Sequence, residues 1–259
     1  MELPHTTPKQ QTIIELVYRF RFLERRQIQT MLRHKDKRRV SAWLKTLREN
    51  QLLDWFYEPA NPTVASKPAI YFLGKNGIRY LKRLGYPYRQ LRNHQGDAAR
   101  RPDFIARCLL LADCCMHLES RIKDGIPYRY ALEADYTAAG SYCCIAENEP
   151  IRPGLVFTKY RQPDGPSQTY YLELFDNSTP RCMIKKKVKD YIEYLAEHTT
   201  EPPIVLLAFA SIADLAYAKR YIRKQTDELW DDALQERIRV STIDKLRSKG
   251  LTAVIWEDI

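Results

Sequence analysis

The sequence predicts an α+β protein of two parts, a small helical module closed by a β-hairpin and a larger α/β domain. Three observations carry that expectation. The 259 residues suffice for two ordinary domains with a substantial core, and 44% of them are hydrophobic. The charge is uneven: 19 Lys and Arg stand against 7 Asp and Glu in residues 1–95, and 23 against 25 in residues 96–259. The net charge of +10 therefore originates in the first third of the chain, the pattern of a nucleic-acid-binding module joined to a neutral one. Finally, the elements read as three helices, a hairpin and a helix up to residue 84, then as helix, three strands, helix, strand, helix and strand.

Pro8 opens the first helix, where a missing N–H costs nothing, and Ile13, Ile14, Leu16, Val17 and Phe20 supply its buried face. Glu24–Leu32 reads as a second short helix with Ile28, Met31 and Leu32 inward. Arg33–Asn50 holds the third, capped by Asp36, with Val40, Leu44 and Leu47 on one apolar stripe. Arg33, Lys35, Lys37, Arg38 and Arg39 crowd its N-terminal turn, and Ser41 and Lys45 follow on exposed faces. Cations there oppose the helix dipole at about 0.3–1 kcal/mol each, a cost that a polyanionic partner would offset. Leu52–Tyr57 and Ala69–Leu73 alternate as strands around the loop Glu58–Pro68, whose Pro59, Pro62 and Pro68 cannot continue a ladder. Lys75–Leu84 forms a further helix.

This order is that of a winged helix-turn-helix, with double-stranded DNA as the expected partner. Arg38, Arg39, Ser41 and Lys45 would face or flank the major groove. Lys35, Lys37 and the wing residue Lys67 would hold phosphates, which sets position without reading sequence, and Arg33 belongs to the same basic cluster. Trp43 lies beside the apolar stripe and either flanks the groove with these residues or packs in the core, which is the expectation.

Turn residues and charge dominate Gly85–Arg101. The linker is placed at residues 91–101, between a winged helix at 1–90 and an α/β domain at 102–259. His94 within it is expected to be a solvated surface group. Phe104–Ile122 is a helix apolar over most of its circumference. Strands follow at Tyr128–Asp135, Ile151–Thr158 and Thr169–Phe175, then a helix over Pro180–Glu197. Pro203–Ala210 is a continuous apolar strand suited to a sheet centre. A helix over Ile212–Leu229 and a strand at Leu251–Trp256 complete the domain. The six cysteines, with adjacent pairs at Cys114–Cys115 and Cys143–Cys144, lack zinc spacing, and buried thiols in a reducing cytoplasm are expected. No run of about 18 apolar residues is present and MELPHTTPKQQ lacks an apolar core. The expected location is therefore the cytoplasm, without a membrane partner.

Helix, three strands, helix, strand resembles the core of the PD-(D/E)xK nucleases, the restriction-endonuclease-like fold. That resemblance implies a Pro-Asp opening the second strand and an acid-x-Lys on the third. The carboxylates would hold Mg²⁺ and the lysine would help activate water. Here Pro153 is followed by Gly154, and Glu173, in Leu-Glu-Leu-Phe, has no lysine two places on. The candidate catalytic residues are therefore Glu133 on the first strand, Glu173 on the third, Asp176 just beyond it, and Lys187 on the following helix.

The chain also resembles, over nearly its whole length, the replication-relaxation family of plasmid and mobile-element proteins. The resemblance rests on the Tyr-Phe-Leu-Gly-x-x-Gly junction at Tyr71–Gly77, the Tyr-Leu-Glu strand at Tyr171–Glu173 and Lys187-x-x-x-Tyr191. It implies a winged helix fused to a degenerate nuclease-like domain, acting in replication and relaxation or their regulation. A homodimer, or replication and mobilisation proteins, would be further partners. With glycine at position 154, the expectation is a scaffold that does not cleave and needs no cofactor or metal. The alternatives are a Mg²⁺-dependent DNA-nicking nuclease and a transcriptional regulator.

Overall fold

The computed structural model describes residues 4–57, 68–136, 151–160, 167–197, 201–230 and 232–259. The chain divides into two compact units, residues 1–116 and 117–259.

The first unit begins with α1 (Pro8–Phe20), β1 (Leu23–Glu24), α2 (Arg25–Met31), α3 (Lys37–Glu49), β2 (Leu53–Phe56), β3 (Ile70–Leu73) and α4 (Lys75–Arg83). A capping box starts α1: the Gln10 amide N–H donates to the Thr7 hydroxyl, and the Thr7 N–H donates to Gln10 Oε1 at 2.9 Å. Ile13, Ile14 and Val17 are then fully buried, as their spacing requires. The expected second helix loses its first residue to a strand. Glu24 pairs with Ile70, and Leu23 with Tyr71, so β1 joins β3 and β2 in an antiparallel sheet of order β1-β3-β2. Between α2 and α3 the chain turns at Arg33, whose φ is 51°. The Arg33 and His34 N–H groups donate to Thr30 O and Gln29 O, closing a Schellman motif at a position that usually takes glycine.

The residues expected to form a linker are folded into this unit. α5 (Tyr88–His94) buries Leu91 and His94, and a 3-10 turn, Asp97–Ala99, leaves Asp97 with no exposure. Arg21 Nε donates to Asp97 Oδ1 at 2.8 Å, His94 Nδ1 lies 3.1 Å from Oδ2, and the Tyr18 ring stacks on His94 at 5.3 Å. The polar composition of this stretch reads as solvated chain, but its charges satisfy one another inside the unit, as burial demands. His94 is accordingly not a surface group. α6 (Pro102–Lys123) adds a second core: Phe104, Ile105, Cys108 and Leu109 pack with Phe22 against the sheet face bearing Phe56, Ile70 and Phe72. The boundary between the compact units therefore falls within α6, not at residues 91–101.

The second unit carries β4 (Tyr128–Leu132), β5 (Leu155–Tyr160), β6 (Ser167–Phe175), α7 (Arg181–Glu197), β7 (Ile204–Phe209), α8 (Ile212–Leu229), α9 (Asp232–Glu236), β8 (Ile238–Thr242), α10 (Ile243–Lys249) and β9 (Glu257–Asp258). The sheet runs β4-β5-β6-β7-β8-β9, with β6, β7 and β8 mutually parallel and the outer pairings antiparallel. Both parallel crossovers advance the same way across the sheet, and α7 and α8 share one core with Val156, Tyr171, Val205, Leu207, Val240 and Phe209. β7 is buried along its whole length, as its apolar run predicts.

Several strand expectations shift. β4 ends at Leu132, whose N–H donates to Asp135 Oδ2 at 2.8 Å, so Glu133 stands in a 3-10 turn beyond the strand. β5 starts at Leu155, after Pro153, which has no N–H to give, and a bend at Gly154. Leu251–Val254 is turn, and Ile238–Thr242 forms the strand that the charges Arg237 and Arg239 disguised. Cys108, Cys114 and Cys115 are buried, and burial pushes the Cys108 and Cys114 thiols up to about 12. Cys182, expected to be buried, is exposed, and Cys143 and Cys144 lie outside the described residues.

The junction between β3 and α4 approaches the end of α3 at backbone distance. A Cβ at Gly74 would lie 2.3 Å from Gln51 O, and one at Gly77 would lie 2.1 Å from Leu52 O. No side chain fits there without moving main chain, which explains both glycines of the Tyr71–Gly77 motif. Gly77→Ala is expected to destabilise the protein by about 1–3 kcal/mol, the usual cost of overpacking. Urea unfolding checks this; a midpoint equal to the parent's would contradict the close approach.

Candidate functional site

The exposed face of α3 carries the basic cluster. Asp36 Oδ1 accepts from the Arg38 N–H at 2.8 Å and the Arg39 N–H at 3.3 Å, capping the helix as its position predicts. That carboxylate is the only anion in or next to the first turn, and it sits among cations. Val40, Leu44 and Leu47 are fully buried, while Arg33, Lys35, Lys37, Arg38, Arg39, Ser41 and Lys45 are all exposed. Lys67 lies outside the described residues.

At helical spacing Arg38, Ser41, Lys45 and Arg48 form one stripe. Arg48 was not among the sequence candidates, although its place ten residues after Arg38 is a readable signal. Its Cζ lies 3.7 Å from the Trp55 ring centroid, so the stripe continues onto β2. Trp43 is not a core residue. It is half-buried on the shoulder of the stripe, with its ring edge-on to His34 at 5.0 Å and Arg39 6.0 Å above it.

In the second unit, Glu173 lies on the face of β6 that also bears Tyr171 and Phe175, beneath α7, and is only 5% exposed. Leu207 is its partner on β7. One step beyond the last β5–β6 pair, Leu155 with Leu172, the antiparallel register brings Gly154 alongside it. Lys187 Nζ donates to Glu173 Oε2 at 2.6 Å, and the Tyr191 hydroxyl donates to the same oxygen at 3.2 Å. Lys187 and Tyr191 stand one turn apart on α7, the spacing that lets both reach one carboxylate. Burial, and then the charge of Glu173, push the Tyr191 phenol well above its ordinary range, so it remains a proton donor. The Tyr136 hydroxyl donates to Pro153 O at 2.7 Å on the same side of the sheet.

The other two acids do not join this cluster. Asp176 Oδ1 accepts from the Ser178 N–H at 2.9 Å, the Ser178 hydroxyl at 2.6 Å and the Thr179 hydroxyl at 3.1 Å, which organises the turn into α7. Glu133 is exposed in its 3-10 turn. Among the described residues the donor set offers a single carboxylate, Glu173, whereas Mg²⁺ is held by carboxylates together with water or substrate oxygens. Glu173 already carries an ammonium ion, and its strand neighbour at 154 is glycine. Among the described residues no group of three or more His, Cys, Asp or Glu could hold a metal.

The cluster places a cation and a hydroxyl donor on a buried carboxylate and links β6 to α7. Lys187→Met should destabilise the protein by about 2–4 kcal/mol, below the full cost of breaking a buried pair because the lysine is partly solvated. Glu173→Leu combined with Lys187→Met should recover most of that loss. Thermal melts of the three proteins decide it; additive losses in the double variant would show that the two side chains do not act as a pair.

A family model described as replication-relaxation matches residues 14–205. Among solved structures, the PcaV transcriptional regulator from Streptomyces coelicolor in complex with its natural ligand is 19% identical over 46% of this chain and 75% of that chain, with a TM-score of 0.27. A second structure of that regulator is 20% identical over 47% of this chain and 79% of that chain, again with a TM-score of 0.27. No curated protein matches. The family match takes in α3, the Gly74–Gly77 junction, Glu173, Lys187 and Tyr191, and spans well over half of the 259 residues. This chain belongs to the replication-relaxation family.

Proposed function

We propose that the protein binds double-stranded DNA through α3 and its flanking hairpin, and acts in the replication or relaxation of a plasmid or mobile element or in its regulation. The observation that carries this reading is the basic surface of α3 and the turn before it, where seven candidate contact residues are solvent-exposed beside a fully buried apolar stripe. The order α1, α2, α3, β2, β3, α4 supports a winged helix, in which the second helix of the motif enters the major groove. Arg38, Ser41 and Lys45 would address base edges and backbone there, joined by Arg48, while Arg33, Lys35, Lys37 and Arg39 would neutralise phosphates.

The second unit is read as a nuclease-like scaffold that does not cleave. The succession of β4, β5, β6, α7 and β7 supports the fold, and the Glu173–Lys187 pair with Gly154 supports the loss of chemistry. In this reading Lys187 supplies a fixed cation at the carboxylate, and no step is routed through a metal. Among the described residues no helix is long and apolar enough to cross a membrane.

The binding test is anisotropy of the purified chain on labelled duplex over a salt series. Log affinity should fall with log salt at about 0.9 per phosphate neutralised. Arg38→Ala with Arg39→Ala should weaken binding far more than Arg121→Ala with Arg129→Ala; equal losses would mean that α3 is not the reading helix. The scaffold reading is tested separately by incubating supercoiled plasmid with the protein and Mg²⁺ or Mn²⁺. No nicking is expected, whereas metal-dependent nicking abolished by Glu173→Ala would replace the scaffold reading with an active nuclease.

A further inference from the structure

The hairpin carries a second feature that duplex reading through α3 does not use. Along β2 the residues on one face pass from buried to exposed: Leu53 is 1% exposed, Trp55 is half-buried and Tyr57 is 46% exposed. Trp55 and Tyr57 stack with ring centroids 4.8 Å apart and planes 22° apart, and Tyr71, paired with Trp55 across the sheet, lies 6.0 Å away. The Arg48 guanidinium covers Trp55 at 3.7 Å. Burial raises the Tyr71 phenol, while the charges of Arg48 and Arg25 lower it. Asp54, the acid on β2, belongs to the opposite face by the strand's alternation. The result is a row of rings with cationic surroundings that begins on the DNA-facing stripe of α3 and ends on an exposed tyrosine.

The inner part of this face is core, through Leu53, Tyr71 and Leu73, but Tyr57 at its outer end is 46% exposed and adds nothing to that packing. The chemistry it offers is a π surface beside positive charge, which matches a nucleobase joined to a phosphate. A base inside a duplex has both faces occupied by its neighbours, so only an unpaired or terminal base can present one to Tyr57.

Resting on the DNA-binding reading above, we propose that the Arg48–Trp55–Tyr57 row is a stacking platform for an unpaired base next to the duplex held by α3. The preferred ligand is then DNA with a single-stranded stretch adjoining double helix, such as a tailed or locally opened site. Sequence-tolerant stacking by Tyr57 would hold the opened strand while the basic cluster holds the duplex.

The test compares the full chain on a blunt duplex, on the same duplex with a short thymidine tail, and on the tail strand alone, by fluorescence anisotropy at fixed salt. The tailed duplex should bind about tenfold more tightly than the blunt one, the scale of one base–aromatic stack. Tyr57→Ala should remove that preference, so that tailed and blunt duplexes bind alike, and Tyr57→Phe should retain it. Since Tyr57 is exposed, an unchanged thermal melt verifies that the alanine variant folds. Equal affinity of the parent for blunt and tailed duplex, with a steep salt response on both, would overturn the platform and leave the duplex reading intact. A preference that survives Tyr57→Ala would also overturn it, and binding to none of the probes would sink both proposals.

Discussion

The orientation of α3 depends on how closely the β3–α4 junction approaches the turn that ends it. Gln51 sits there at a φ of 55°, and the Gln51 and Leu52 N–H groups close a Schellman motif on Arg48 O and Leu47 O. The carbonyls of Leu52 and Gln51 then accept from the Gly74 and Asn76 N–H groups at 3.1 and 3.0 Å, and the Asn76 side chain donates to Asn50 O at 2.9 Å. These contacts exist only because positions 74 and 77 have no side chain. The hairpin and α3 are thereby one body, and the sheet is braced from its far side by α6. A basic helix displayed on such a frame loses little entropy when it meets a rigid partner.

The same residue type serves two different ends in this unit, and burial separates them. Arg21 is spent inside, on a fully buried Asp97 that also engages His94, because a carboxylate with no exposure needs charged or polar partners. Arg38, Arg39 and Lys45 lie outside, on a helix whose core contacts are complete without them. Their concentration against the helix dipole is tolerated with one local compensation, the Asp36 cap. The basic excess is thus a surface property rather than a by-product of folding.

The second unit has a comparable economy around Glu173. An acid on the buried face of a central strand is unfavourable alone. α7 answers it with two donors one turn apart, one charged and one held neutral by burial. The two contacts link the third strand of the sheet to the helix that follows.

Read alone, the sequence determined what depends on local periodicity and composition: α1, α3 with its Asp36 cap, the hairpin strands, α7, the apolar β7, α8, and the assignment of positive charge to the first third. It also held the Tyr71–Gly77 and Glu173–Lys187–Tyr191 patterns as strings, without their meaning. Tertiary structure alone decided what depends on long-range partners. β1 is a strand because β3 lies beside it, and residues 91–101 are ordered because Arg21 and Tyr18 reach them from α1 and its end. β8 is a strand because β7 offers it a parallel edge, although Arg237 and Arg239 mask its alternation. Glu133 lies apart from the candidate site because a side-chain cap from Asp135 ends β4 early, and Tyr191 joins Lys187 there because one helical turn over a strand brings both to the same oxygen. Local sequence sets which conformations are cheap; the contacts that select among them come from residues tens of positions away.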